Sequence, residues 1–487
     1  MNWSESFWLA APEALLSVAG LLLLLAAAWG GDRQSRTISI FAVATLVACM
    51  ALVAPALADA AAGPSRDAFY GQYRADAFAA FAKLLIYGAG AATLIVAPAF
   101  FERVRCMRAE FPILILLGVL GAGLMVSATD LLTLYIGLEL NSLASYVLAS
   151  MLRNDERSAE AGLKYFVLGA LASGILLFGI SLVYGFTGTT SFAGIRDALR
   201  GELSTGAVFA VVFVLSGLAF KIAAAPFHMW TPDVYEGAPT PVTTFFATAP
   251  KIAAVALTMR VALDAFAHQI GAWQQIVVFA SLLSIIVGAL GAIGQRNIKR
   301  LLAYSSINNI GFMLIGLATA TQAGASAMLV YLAIYAVMTL AGFIVVLMLR
   351  DHDGEPVEAI ADLSGLSQTR PLLALAMAMV MFSLAGIPPL FGFWAKFVVF
   401  RAAVDGGLVA LAAIGIAASV IGAFYYIKIV KVMYFDEAAN RVGGGHETAH
   451  AALLGLASVF ISPLGYLLTP WLQGMAGGAA AALFHAA

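Results

Sequence analysis

The chain has 487 residues, of which 62% are hydrophobic and only 11% are charged, and its mean hydropathy is +0.94. A soluble globular domain usually carries about 25% charged residues, so this composition excludes a soluble globule and predicts a polytopic membrane protein. The formal net charge of −1 gives no support for nucleic-acid binding, and the two cysteines, Cys49 and Cys106, are too few for an iron–sulfur cluster or a zinc site.

Apolar runs recur along nearly the whole chain, each close to the roughly 20 residues that an α-helix needs to cross a bilayer. Splitting them at polar clusters predicts an all-α fold of about fourteen transmembrane helices. The longest polar connections, about 350–371 and 435–449, are predicted to be loops, so flavin, nucleotide or iron–sulfur chemistry would have to come from a partner. The predicted spans are about 8–29, 38–58, 76–98, 111–127, 130–150, 161–186, 205–236, 241–264, 272–294, 302–320, 325–350, 372–402, 407–433 and 450–470.

Two of the predicted spans, 205–236 and 372–402, are too long for a simple crossing, and Pro226 and Pro389 lie inside them. Proline removes a backbone donor and clashes with the preceding turn, so both segments are predicted to be broken helices. Unpaired backbone groups at such a break need a packed interior or a wet cavity, which is typical of transport sites.

The order of the spans predicts an inverted repeat. Each broken segment is the fourth in a run of five spans, and five is odd, so the second run enters the membrane in the opposite direction. The internal sequence similarity is weak, and chance similarity is the alternative. The predicted organisation is an N-terminal three-helix segment (1–110), a first repeat (111–264), a second repeat (265–435) and a C-terminal span (436–487).

The distribution of lysine and arginine among the loops predicts the orientation. Most of them fall in alternate loops, including those around 103–108, 296–300 and 428–441. Positively charged loops stay on the cytoplasmic side, so both termini are expected on the periplasmic side.

Four charged residues lie deep in these apolar stretches: Glu139, Lys221, Lys251 and Lys396. A charge at the centre of the bilayer costs roughly 2.5–3.5 kcal/mol on insertion scales, which by default indicates part of an ion pathway. At 1.5 Å per residue, Glu139 and Lys251 lie about 13–15 Å along their spans, close to the midplane. The alternatives are a static ion pair for Glu139 and side chains that extend to the interface for the lysines.

A buried lysine can switch between its charged and neutral forms because burial opposes charge while a nearby carboxylate favours it. A change in the distance between Glu139 and Lys221 would therefore move a proton. His228, beside the first break, could relay protons, or it could be a hydrogen-bonded structural residue.

Four segments of the chain carry distinctive motifs: KYFVLGALASGILLFGISLVYGFTGTTSF (164–192), FKIAAAPFHMWTPDVYEGAPTPVTTF (220–245), NIKRLLAYSSINNIGF (297–312) and GIPPLFGFWAKF (386–397). These segments resemble a known family, subunit N of the bacterial NADH–quinone oxidoreductases of respiratory complex I. The resemblance covers essentially the full chain. The lysine pattern around broken helices is also found in sister subunits and in multisubunit sodium/proton antiporters.

The resemblance implies an antiporter-like, proton-pumping subunit of the membrane arm, in a hetero-oligomer in the bacterial cytoplasmic membrane with lipid around it. It implies that Glu139 and Lys221 form a coupled pair, that Lys251 is a central relay and that Lys396 is the terminal lysine. It places NADH, FMN and iron–sulfur clusters in partner subunits and quinone at another subunit, and it implies no cofactor or metal in this chain.

The chain departs from the family at one position. Many relatives carry histidine in the motif AYSSIxHxG, where this chain has Asn309. Asparagine does not titrate, so water or a nearby hydroxyl, such as that of Tyr304 or Ser305, would have to bridge there. Two other functions stay open: a sodium/proton antiporter that works without electron transfer, and a scaffold whose charges form fixed structural pairs.

Overall fold

The structure is a computed structural model that describes residues 3–58, 66–445 and 447–484. It confirms the predicted helical membrane architecture and adds a small two-stranded hairpin that the sequence did not predict. The N-terminal part consists of α1 (Trp3–Leu9), α2 (Ala11–Gly30), α3 (Ser35–Ala58), β1 (Arg66–Ala68), β2 (Tyr73–Ala75) and α4 (Ala77–Arg103).

The strands pair antiparallel, with Asp67 opposite Arg74. Directly after β2, Asp76 caps α4, because its carboxylate accepts a hydrogen bond from the backbone N–H of Ala79 at 2.8 Å. The hairpin therefore leads straight into the first long helix of the core.

The middle of the chain contains eight helices and the first predicted break. The helix α9 ends at Ile222, where Ala223 adopts a left-handed conformation (φ 60°), and α10 begins only at Trp230. The helices are α5 (Glu110–Ser127), α6 (Leu131–Ala149), α7 (Glu156–Thr187), α8 (Phe192–Ala198), α9 (Thr205–Ile222), α10 (Trp230–Gly237), α11 (Thr240–Phe246) and α12 (Ala249–Arg260), which a π-helical turn, Val261–Ala265, extends.

The last part contains nine helices and the second predicted break. Here α17 ends at Ala385, Gly386 is left-handed (φ 80°), and α18 begins at Phe391. The helices are α13 (Ile270–Ile293), α14 (Ile298–Ala318), α15 (Gln322–Met348), α16 (Leu366–Thr369), α17 (Pro371–Ala385), α18 (Phe391–Asp405), α19 (Val409–Phe435), α20 (Thr448–Ile461) and α21 (Thr469–Phe484).

The predicted number of about fourteen spans is not confirmed. Within the described residues, eleven helices are long and apolar enough to cross a membrane, or twelve if the bent pair α20 and α21 is one span. One of the eleven, Ala11–Leu57, is 47 residues long. It contains α2 and α3, which were predicted as two spans and which pack against each other. The broken segment of α17 and α18 divides into two helices of 15 residues.

Two further breaks were not predicted. Thr248 separates α11 from α12 with φ −120° and ψ −91°. The predicted span 450–470 is a helix only as far as Ile461, after which the chain bends by 67° into α21. Pro463, just after Ser462, explains the stop, because it lacks a backbone donor.

Ion pairs form on two separate faces of the molecule. On the hairpin face, which carries β1 and β2, Asp264 binds Arg74 at 3.3 Å and Arg196 at 2.9 Å. On the opposite face, here called the loop face, Glu447 binds Arg350 at 2.6 Å and Arg103 at 3.3 Å. This grouping matches the predicted division of the loops into two sides, while the side that faces the cytoplasm stays a prediction.

The core of the molecule contains α12, α14 and α15, which have the highest buried fractions among the long helices. These three helices carry Lys251, Asn309 and Tyr331, so the polar residues of this region lie in the protein interior.

Candidate functional site

The first break positions Lys221 in the last turn of α9. Its Nζ donates a hydrogen bond to Ser142 Oγ at 2.7 Å and lies 3.4 Å from the hydroxyl of Tyr146. Both partners belong to α6. The C-terminal carbonyls of a helix carry partial negative charge, so the end of α9 stabilises an ammonium group at this position.

Glu139, also on α6, is partly exposed at the surface of the isolated chain and accepts a hydrogen bond from Ser173 Oγ on α7. Within the described part of the chain it forms no ion pair with Lys221. Ser142 follows Glu139 by three residues and therefore lies on the same helix face. The predicted pair shares one face of α6 without direct contact, and Ser142 and Tyr146 are the groups bound to the lysine.

Lys251 lies in the first turn of α12, just after the break at Thr248, and is only 2% exposed. Its Nζ donates to Ser306 Oγ at 2.5 Å, and the same oxygen accepts a hydrogen bond from Tyr335 at 2.8 Å. The Nζ is also 5.4 Å from the ring centroid of Tyr235. The first turn of a helix carries partial positive charge, so α12 opposes a charge on Lys251.

The second break positions Lys396, which is 6% exposed. Its Nζ donates to the carbonyl of Ala385 and to Ser419 Oγ, both at 2.9 Å, and lies 4.6 Å from the ring centroid of Phe312. Ala385 is the last residue of α17, so its carbonyl has no partner further along that helix. The break thus provides an acceptor for the lysine.

Asn309 lies within a cluster of hydroxyl groups on α14, α15 and α19. Its side-chain oxygen accepts a hydrogen bond from Tyr331 at 2.7 Å, and its amide donates to the hydroxyl of Tyr426 at 3.3 Å. Tyr426 in turn is 2.5 Å from Ser305 Oγ. Ser305 precedes Ser306, the partner of Lys251, on α14, but no hydrogen bond joins the two serines within the described residues.

The three predicted relay residues differ in their surroundings. Ser305 is buried and belongs to the cluster around Asn309. Tyr304 is partly exposed, with no hydrogen bond from its hydroxyl to another described residue. His228 has a buried Nδ1 without a partner among the described residues, and no hydrogen bond joins it to Lys221.

The sequence reasoning missed the neutral partners of the lysines. Helical spacing could have indicated Ser142 and Tyr146, which follow Glu139 by three and seven residues on α6. No local pattern indicates Tyr335, Ser419 or Tyr426, because they come from helices far away in the sequence.

Two other pairs of buried charges, also missed, consist of direct partners of opposite charge. Glu13 binds Lys83 at 2.6 Å, Arg260 binds Asp76 at 2.8 Å, and these side chains are at most 6% exposed. In the described residues, Lys221, Lys251 and Lys396 bind neutral oxygens only. A buried cation without an anion is costly, so these three lysines differ in kind from the structural pairs.

No group of three or more His, Cys, Asp or Glu within the described residues could hold a metal ion. The polar groups of the candidate site are amines, hydroxyls and the amide of Asn309, together with the partly exposed carboxylate of Glu139. These groups can bind water and exchange protons.

Comparison with known proteins gives the family. Residues 128–422 match the model of the transmembrane family NADH:quinone oxidoreductase/Mrp antiporter. The chain is 66% identical over 486 residues to NADH-quinone oxidoreductase subunit N of Erythrobacter litoralis, with 100% of both chains covered.

Two solved structures share the fold. A chain of respiratory complex I from Thermus thermophilus has a TM-score of 0.80 at 33% identity, covering 95% of this chain and 98% of that one. A chain of the Mrp complex from Dietzia sp. has a TM-score of 0.84 at 26% identity, and the match covers 99% of this chain and 98% of that one. With full-length identity this high, the chain belongs to the NADH-quinone oxidoreductase subunit N family.

Proposed function

We propose that the chain is a proton-translocating membrane subunit of a bacterial NADH:quinone oxidoreductase, and thus part of a redox-driven translocase. It carries no redox centre in this proposal: NADH, FMN and iron–sulfur clusters bind partner subunits, and quinone binds another subunit. The chain sits in the cytoplasmic membrane within a hetero-oligomer, with both termini on the periplasmic side.

The observation that carries the proposal is a set of three lysines with neutral hydrogen-bond partners only. Lys251 and Lys396 are buried, and Lys221 is partly exposed. Each amine has hydroxyl or carbonyl oxygens at 2.5–2.9 Å in place of a carboxylate. A lysine held by neutral groups can lose its proton without leaving an anion unpaired in the interior. The same burial makes a fixed charge unfavourable, which argues against the scaffold function.

The steps follow from the contacts. A change transmitted by neighbouring subunits alters the distance between Glu139 and Lys221, which share a face of α6. When the carboxylate moves away, Lys221 releases a proton towards Lys251. Water must carry it over the gaps, because no chain of hydrogen bonds between described residues joins the two lysines.

From Lys251 the proton reaches Ser306, and water carries it to the hydroxyls of Ser305 and Tyr426, because no hydrogen bond joins Ser306 to Ser305 among the described residues. Lys396 is the last acceptor in this chain, and water also bridges Tyr426 and Ser419, the hydroxyl bound to Lys396, which both belong to α19. Asn309 does not carry the proton in this scheme; it holds the hydroxyls of Tyr331 and Tyr426 in place.

A sodium/proton antiporter is the second candidate, and the fold shared with a chain of the Mrp complex favours it. Deleting the chain in its own bacterium separates the two. Our proposal expects loss of NADH-driven quinone reduction and of proton pumping in inverted membrane vesicles, with restoration by the plasmid-borne chain. Sodium sensitivity with normal NADH-driven respiration would favour the antiporter and contradict the proposal.

A further inference from the structure

An apolar groove of about 500 Å³ runs between α17 and α20 on the surface of the chain. Its walls are mostly aliphatic, and the facing residues Ala376, Ala451 and Gly455 are small. Leu372, at one edge, is 80% exposed. The volume lies in the range of sites that hold a small molecule.

A cationic group lies at one end of the groove. Arg370, directly before α17, donates from Nη1 to the carbonyls of Gly443 and Gly444 at 2.7 and 3.0 Å. Its Nε and Nη2 make no hydrogen bond to another described residue, and no described carboxylate lies within 4.0 Å of the guanidinium. Two donors of a charged, planar fork are therefore available to an anion.

The groove is shaped for a molecule with a charged head and an apolar tail. It extends along α17 from Pro371 to Met379 and along α20 from Ala451 to Ser458. At 1.5 Å per residue, the groove extends about 10–12 Å along the two helices, starting from the end that carries the arginine. Arg370 lies on the loop face, the side predicted to meet the cytoplasmic leaflet, whose lipids are the more negatively charged.

We infer that this groove binds an anionic phospholipid, with its phosphate on Arg370 and an acyl chain between α17 and α20. Charge complementarity selects this occupant, because a partner helix of ordinary apolar sequence would leave the free donors of Arg370 unpaired. The inference does not depend on the proposed route of the proton.

The test uses the assembled oxidoreductase, reconstituted into phosphatidylcholine vesicles that contain a small fraction of phosphatidylglycerol with a photoreactive acyl chain. We expect labelling within 371–379 and 451–458. One arginine near a membrane surface is worth about 1 kcal/mol, so Arg370→Gln should weaken this labelling about fivefold. The matched control is Arg401→Gln, an exposed arginine paired with Asp405 elsewhere on the surface.

A second variant blocks the groove without touching the arginine. A Cβ added at Gly455 meets no described atom within 4 Å, so Gly455→Leu should fold, fill the groove and lower the labelling while Arg370 is intact. Three results would each overturn the inference: equal labelling by a photoreactive phosphatidylcholine, labelling unchanged in Arg370→Gln, or a cross-link from Leu372→Cys to another subunit, which would show a protein in the groove.

Discussion

The helix ends around Lys221, Lys251 and Lys396 differ in the partial charge that they present to the amine. Lys221 lies at the C-terminal end of α9 and Lys396 binds the last carbonyl of α17, so both meet partial negative charge. Lys251 lies at the N-terminal end of α12 and meets partial positive charge. The helix end at Lys251 therefore opposes a charge on the amine, whereas the helix ends at Lys221 and Lys396 favour one.

At the residue scale, Tyr426 gives a sharp prediction. Tyr426→Phe keeps the ring and removes the hydroxyl that binds Ser305 and Asn309. We expect slower NADH-driven proton pumping in inverted vesicles, with a stability loss of about 1 kcal/mol for each lost hydrogen bond.

The neighbouring residue provides the control for that change. Tyr425 is equally buried and packs against Tyr426, but its hydroxyl makes no hydrogen bond of regular geometry to another described residue. Tyr425→Phe should pump normally. Equal pumping by both variants would remove Tyr426 from the route.

At the element scale, the second break depends on a glycine. Gly386 has φ 80°, and a Cβ there would lie 2.7 Å from Cδ of Lys396. We expect Gly386→Ala to displace the lysine from Ser419 and to lower pumping in the assembled complex.

Gly407→Ala is the matched control for the backbone. Gly407 has nearly the same φ, 79°, but no described atom lies within 4 Å of its would-be Cβ. Both variants incur a left-handed backbone cost of roughly 1–2 kcal/mol, so the difference between them measures the effect on Lys396. Similar losses of pumping in both would mean that backbone strain alone is responsible.

A second prediction at this scale concerns the pair that joins α12 to the start of α4. Arg260 is fully buried and binds both oxygens of Asp76 at 2.8 and 2.9 Å. Arg260→Leu leaves a buried carboxylate unpaired and should cost about 3–5 kcal/mol. The double change with Asp76→Asn, which removes the charge but keeps an acceptor for the cap of α4, should recover most of it.

The amount of folded chain in membranes and its thermal unfolding in detergent measure this effect. If the double variant were as unstable as the single one, the pair would have a role beyond charge neutralisation.

At the scale of the whole molecule, ion pairs of the loop face tie the C-terminal segment to the rest of the chain. Glu447, just before α20, binds Arg103 at the end of α4 and Arg350 after α15. Burial raises the pKa of Glu447, but Arg350, His450 and Arg103 outweigh this effect and hold it below its ordinary value.

A carboxylate whose pKa is lowered by folding adds stability above its unfolded pKa, and the gain disappears as the pH falls through the folded pKa. We expect Glu447→Gln to speed hydrogen exchange in α20 at pH 7, relative to the unchanged chain. The difference should shrink as the pH falls through the ordinary range of glutamate, near pH 4. It should vanish only below the lowered folded pKa, where the side chain of Glu447 is neutral like that of glutamine.

Glu437→Gln, at an exposed glutamate for which the structure shows no ion pair, is the control and should change nothing at either pH. A difference between Glu447→Gln and the unchanged chain that persisted at low pH would contradict the assignment to charge.

The sequence predicted local features well and long-range partners poorly. Pro226 and Pro389 indicated the two broken helices, because a proline interrupts the helix at its own position in the sequence. A proline, Pro463, also marks the bend after Ile461. The apolar run continues through this proline, so the sequence predicted a single span there. Lys83 forms an ion pair with Glu13, seventy positions away in the sequence. No periodicity within either helix indicates that contact.

The candidate site divides in the same way. Glu139 and the three lysines stand out because charge is rare in apolar helices. Their partners Tyr335, Ser419 and Tyr426 are ordinary polar residues whose importance comes only from helix packing. Lys221 binds Ser142 and Tyr146 and makes no direct contact with Glu139. This arrangement also depends on how α6, α7 and α9 pack together.

The most direct test of the central claim is the proton yield of an assembled oxidoreductase that carries Lys221→Met, measured as protons pumped per NADH oxidised in inverted vesicles. The control is Lys431→Met, whose side chain is 60% exposed. The account predicts normal assembly of both and a clearly lower proton yield for Lys221→Met alone. An assembled Lys221→Met complex with the full proton yield would contradict it.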